Sequence, residues 1–440
     1  MTRLVLGDLW IHARVWWGIL MVSVATGGIG AIGAGLIETG NHYGGDVQYD
    51  LAGASTILIV LSAATALIVL SSTADLTVAL QQRSYALWQL AGLSPLTVAA
   101  VVLCQLAVVG SLGAAIGWGF VKVFAAPIFD WLWQPLEFAE PTSVHLGAAG
   151  FAVLVVVQSL VVMLGGLRGA RTASRVSPIE ALRAAEATPL SFGWFRILLF
   201  IALLTATGAL SLSLMRADFE TIAGNAILLV PMIAALFAVA GPVVFRPVLK
   251  AWTSIIPSRW SASWYLARNS AAYRLGQSSA SIAPLMIAVA LPGGLFTTAA
   301  SLSAAVGEKR ELSAGVVILM LGGPLLLAGI GAVATVFMSG YAREREFALI
   351  RAAGSTTSLI VLTAVWEALI YTVTAAILAT TAIVVGAGVL ALALDVGLPV
   401  LSLSSVATVS AAGFVLLLAA TLIPTLLSLR VDIPGQLALE

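Results

Sequence analysis

Along this chain, apolar runs of about twenty residues alternate with short polar intervals. The runs fall at 15–37, 52–78, 96–122, 147–167, 195–215, 225–245, 281–302, 314–338, 358–388 and 404–428. About twenty apolar residues are enough to carry an α-helix across the hydrocarbon of a bilayer. The pattern therefore predicts an all-α integral membrane protein of about ten transmembrane helices. The intervals are where the remaining information lies.

Two of those intervals carry charge in a helical arrangement. Arg343-Glu-Arg-Glu-Phe-Ala-Leu-Ile-Arg-Ala-Ala-Gly354 places Phe347 and Ile350 on one face and leaves Arg343, Glu344 and Arg351 solvated. A helix of that kind can lay an apolar edge into a partner's groove. An earlier copy, Arg83-Ser-Tyr-Ala-Leu-Trp-Gln-Leu-Ala-Gly92, aligns with Arg345–Gly354 without a gap. It pairs Tyr85 with Phe347, Trp88 with Ile350 and Gly92 with Gly354. Two short cytoplasmic helices, 81–92 and 343–354, are expected.

The repetition extends beyond these helices. Trp10-Ile-His-Ala-Arg14 before the first run resembles Trp264-Tyr-Leu-Ala-Arg268 before the seventh, and Arg175-Val-Ser-Pro178 resembles Arg430-Val-Asp-Ile-Pro434. The chain divides on this basis into a four-span unit at 1–190, a connecting two-helix hairpin at 191–250 and a second four-span unit at 251–440. Each unit has an even number of spans and starts on the same side. The copies are therefore expected to be parallel, related by an axis along the membrane normal.

Composition adds the compartment. Of 440 residues 60% are hydrophobic and 9% charged, with a mean hydropathy of +1.06, where a soluble domain carries about a quarter of its residues charged. With the N-terminus inside, 17 of the 21 basic residues collect on the cytoplasmic side; Lys122, Arg216, Lys309 and Arg310 are the exceptions. That sorting predicts a cell-membrane protein with both termini cytoplasmic. A net charge of +1 distributed in this way gives no nucleic-acid surface. The single cysteine, Cys104, excludes disulfides and thiolate metal sites, and His12, His42 and His145 are too scattered to read as metal ligands.

Several stretches carry candidate chemistry. Gly28-Ile-Gly-Ala-Ile-Gly33 spells a dinucleotide fingerprint, but inside a membrane span such glycines serve close helix packing. No phosphate-binding loop and no catalytic constellation occurs, so the chain is expected not to be an enzyme and to hold no cofactor. Glu367, in the ninth span where the first copy has Gln105, is a candidate for the transport path or a buried polar contact. Pro292-Gly293-Gly294 and Gly322-Gly323-Pro324 interrupt spans seven and eight as possible hinges. Outside the membrane, 38–51 and 303–313 read as short loops. Residues 125–146, with Phe129, Trp131, Trp133 and Phe138, read as a segment on the outer membrane surface, and 178–186 as a short surface helix.

Arg345-Glu-Phe-Ala-Leu-Ile-Arg-Ala-Ala-Gly354, the long span holding Glu367 and the closing Val176-Ser-Pro-Ile-Glu-Ala-Leu-Arg183 together resemble the FtsX-like, MacB-type permeases of ABC transporters, the type VII class, in a ten-span, two-unit form. The resemblance covers both copies. It implies that the charged segments are coupling helices, so that Arg83, Tyr85, Trp88, Gly92, Arg345, Phe347, Ile350 and Gly354 face a cytoplasmic ATPase. That subunit, a homodimer, would bind ATP and magnesium. The first copy departs from the pattern at Ser84 and Gln89, and the large outer domain common in the family has no room at 38–51 or 303–313. The implied function is export or extraction of an amphipathic compound, such as a lipid-like molecule or antimicrobial peptide. The residues alone leave open an ion-coupled carrier using Glu367 and a non-transporting complex that passes a signal or force.

Overall fold

The computed structural model describes residues 7–10, 12–125, 127–129, 144–175, 194–257, 259–273, 275–306, 314–342, 354–395, 401 and 403–429. Every regular element among them is helical: α1 (Ala13–Tyr43), α2 (Gly45–Leu80), α3 (Gln82–Leu90), α4 (Pro95–Val123), α5 (Ala148–Arg175), α6 (Trp194–Leu214), α7 (Phe219–Asn225), α8 (Leu229–Thr253), α9 (Ala262–Tyr273), α10 (Leu275–Val306), α11 (Ala314–Ala342), α12 (Thr357–Ala393) and α13 (Leu403–Leu429). Ten of these are long and apolar enough to cross a membrane, one for each apolar run. The chain is an all-α, multi-pass membrane protein.

Chain compaction follows different boundaries from the sequence repeat. One unit comprises residues 1–186 and 312–334, the other 187–311 and 335–440. In the first, α1 and α4 meet almost backbone to backbone. A Cβ on Gly117 would lie 2.6 Å from the Gly27 carbonyl carbon, and one on Gly27 would lie 2.8 Å from the Ala114 Cα. Small residues permit that approach where lipid tails give no hydrophobic drive between helices. Gly30 faces Leu154 of α5 and Gly33 faces Ile59 of α2, so two of the three fingerprint-like glycines make room for a neighbouring side chain. The N-terminal part of α11 joins this unit: Leu327 is buried in its core, and Gly323 sits over Ile29, Leu58 and Ser62.

In the second unit α10 is the central helix, buried along nearly all of 280–295. It packs against α8, α12 and α13. The hairpin α6–α8 belongs to this unit, with Val230 of α8 seated against Gly294 of α10 and Gly386 of α12.

Three expectations change. The loop at 38–51 is absent, because α1 runs to Tyr43 and α2 starts at Gly45, with the turn made by Gly44 and Gly45 at φ +70 and +60. Helices α10 and α11 run unbroken through Pro292-Gly293-Gly294 and Gly322-Gly323-Pro324, and Gly293 and Gly294 serve packing against Ile383 and Val230. The non-helical point lies in α8, at Gly241 (φ 18, ψ −90). Pro242 follows it, and proline drives the residue before it out of the helical region. Phe129, expected at the outer lipid layer, is fully buried in the first unit. Trp131, Trp133, Phe138 and the helix at 178–186 lie outside the described residues.

Candidate functional site: the seat of the short helix between spans two and three

The interval between the second and third spans folds as α3, nine residues long. A helix this short is marginal alone, so its ends and its seat hold it. At the C-terminal end, the Gly92 amide donates to the Gln89 carbonyl at 3.0 Å and the Leu93 amide to the Trp88 carbonyl at 3.1 Å. This is the pair of bonds of a Schellman cap, and it requires the left-handed backbone that Gly92 adopts at φ +97. Extended Ser94 then caps α4, accepting from the Thr97 amide at 3.2 Å, and Pro95 takes the first helical position.

Gly354 has φ +92, and extended Thr356 precedes α12 as Ser94 precedes α4. The two copies thus share a left-handed glycine and an extended residue two positions on, as well as a sequence. Arg345, Phe347 and Ile350 lie outside the described residues.

Beneath α3 lies a chain of polar contacts. The Tyr85 ring is fully buried and packs edge-on to Trp88 with centroids 5.4 Å apart. Its hydroxyl donates to Gln81 Oε1 at 2.6 Å. Burial, and then the neighbouring Asp8 charge, push the Tyr85 phenol well above its ordinary range. Asp8, itself buried, accepts from Gln105 Nε2 at 2.8 Å and pairs through its other oxygen with His12 Nδ1 at 2.9 Å. Gln89 Nε2 donates to the Ala173 carbonyl at 3.1 Å, one of the four that α5 leaves free at its C-terminal end. The seat therefore joins α3 to the segment before α1, to α4 and to α5. Gln81 Nε2 and Gln105 Oε1 are buried without a hydrogen-bond partner among the described residues. Each such atom costs roughly 1–3 kcal/mol, so the seat is held less firmly than a fully paired network would be.

This geometry reassigns the sequence-derived contact residues. Tyr85 has no exposed surface and cannot touch a docked subunit; it anchors the helix. Trp88 is half-buried, and Arg83 lies on the helix without its side chain being described. Among the described side chains the exposed large ones here are apolar: Leu87, Leu90 at 56% exposure and, past exposed Gly92, Leu96 at 83%. Gln105 and Glu367 are both buried, each ten positions after the first residue of its helix, Pro95 or Thr357.

Sequence reasoning missed Asp8, His12, Gln81 and Gln89. Asp8 left one signal: it is the only acidic residue before Glu38, four positions from His12. Among the described residues no group of three or more His, Cys, Asp or Glu side chains is arranged to hold a metal ion. His42 and His145 do come together, with ring centroids 3.8 Å apart and planes tilted by 34°, and Glu38 accepts from the Gly147 and Gly150 amides. Comparison with family models and with curated proteins finds no match.

Proposed function

We propose that this chain is the permease subunit of an ATP-driven ABC transporter in the cell membrane, with ATP and magnesium held by a separate cytoplasmic ATPase homodimer. The observation that carries this reading is α3, a short helix fastened along one face and apolar along the other, whose terminating glycine recurs with the same backbone at Gly354. An exposed apolar edge of this kind suits a groove in a partner, and the fastened side passes displacement to three neighbouring segments. The cargo that fits a chain of long apolar helices is an amphipathic or lipid-like compound, including antimicrobial peptides, exported or extracted from the bilayer. The test is purification of the chain from its own cells: an ATPase that co-purifies, and whose hydrolysis is stimulated by the chain, supports the proposal. Retention of no ATPase under conditions that keep the chain folded overturns it.

The burial of Glu367 within α12 favours a second reading, an ion-coupled carrier. Transport by the chain alone in liposomes, driven by a pH gradient without ATP and lost in Glu367→Gln, would establish it. A non-transporting signalling complex would instead show ATP turnover with no substrate movement.

A further inference from the structure

Between Glu220 and Glu308 the sequence holds no acidic residue and five basic ones, Arg246, Lys250, Arg259, Arg268 and Arg274. The five lie at the end of α8 and around α9. Helix α9 has 12 residues, too few to cross hydrocarbon. It turns Ser263, Trp264, Ala267 and Ala271 inward, a single stripe at helical spacing. The buried Trp264 ring lies 5.3 Å from Trp366 of α12 and 6.1 Å from Trp252 of α8, whose indole N–H donates to Thr374 Oγ1 at 3.0 Å. One face of α9 is thereby fixed to two spans.

The opposite side is aromatic and basic. Tyr265 and Tyr273 are exposed there; Trp260 of the preceding turn packs on Trp366 yet is 62% exposed, Arg259 and, on α8, Arg246 and Lys250 are exposed, and Arg268 is half-buried. None of these four cations has an ion-pair partner among the described residues. The depth follows from α12. At 37 residues it is about 55 Å long, against roughly 30 Å of hydrocarbon. Trp366 is its tenth residue, about 14 Å from its start; with α12 centred on the bilayer, the tryptophan cluster and Trp260 packed on it would fall near the edge of the hydrocarbon. Aromatic rings concentrate at that depth.

We infer that this face, formed by Arg259, Trp260, Tyr265 and Arg268 with Arg246 and Lys250 beside it, binds the headgroups of anionic phospholipids. The rings sit beside the glycerol layer and the cations reach the phosphates. Charge decides the occupant, because a zwitterionic headgroup has no net charge to offset four cations that make no ion pair among the described residues. The inference is independent of whether an ATPase docks at α3.

The test uses the full chain in mild detergent, with phosphatidylglycerol or phosphatidylcholine added and lipid retention read by native mass spectrometry. Wild type is expected to retain phosphatidylglycerol preferentially. The pair Arg259→Gln and Arg268→Gln lowers that retention by about fivefold per charge and leaves phosphatidylcholine unchanged, while Arg259→Lys with Arg268→Lys keeps most of the preference. Equal retention of the two lipids by wild type, or an undiminished preference in the glutamine pair, overturns the inference. So does a photocrosslinker at position 260 that captures a protein rather than phospholipid in native membranes.

Discussion

The Gln105 amide donates to the Asp8 carboxylate at 2.8 Å, tying the segment ahead of α1 to the first third of α4 across 97 residues of chain. Removal of the acceptor leaves a buried donor without a partner, at a cost of about 1–3 kcal/mol. Asp8→Ala should therefore lower the apparent Tm of the purified chain. Asp8→Asn, which keeps one oxygen to accept from Gln105, should lower it less. An Asp8→Ala variant as stable as wild type would remove the seat from the account.

Tyr85 supplies a pH signature. Its folded phenol titrates above the unfolded value because of burial and then Asp8. The unfolded chain loses that proton first, so the stabilisation is whole below about pH 10, the ordinary tyrosine value, and is lost progressively as pH climbs beyond it. Unfolding followed from pH 8 to 11 should show alkaline destabilisation of wild type that is smaller in Tyr85→Phe. At neutral pH the Phe variant should be weaker by about 1 kcal/mol for the lost bond to Gln81. Parallel pH profiles for the two proteins would contradict this.

Gly92 tests the end of α3. Nothing lies within 4 Å of a Cβ placed there, so Gly92→Ala adds no clash and its cost is backbone alone, about 1–2 kcal/mol at φ +97. Gly354→Ala should cost a similar amount for the same reason. Of the two, a variant that leaves the Tm unchanged would show that the left-handed turn is not required in that copy.

Leu87 and Leu90 separate docking from folding. Both are exposed, so Leu87→Ser with Leu90→Ser should change stability by no more than about 0.5 kcal/mol, and should abolish co-purification of the ATPase. Intact co-purification at unchanged stability would place the contact elsewhere on the chain.

How much of this was legible in sequence depended on range. The ten spans were, since length and apolarity decide them one helix at a time, and the gapless repeat located both turn glycines. The facing of Tyr85 was not: in a nine-residue helix Tyr85 and Trp88 share a side three apart, and only the seat determines whether that side points in or out. Asp8 and Gln105 meet by tertiary packing, which no local pattern encodes. Pro292 and Pro324 look like breaks in sequence, yet helices α10 and α11 continue through both.

The Schellman turn at Gly92 also fixes a mechanical property. Two helices joined by a helical residue can merge, and an axial push on one is then dissipated by winding or unwinding at the joint. The left-handed glycine and the Ser94–Pro95 start forbid α3 and α4 from fusing. The nine-residue helix thus keeps an axis of its own, and winding or unwinding within α4 stops at Ser94 instead of running on into it.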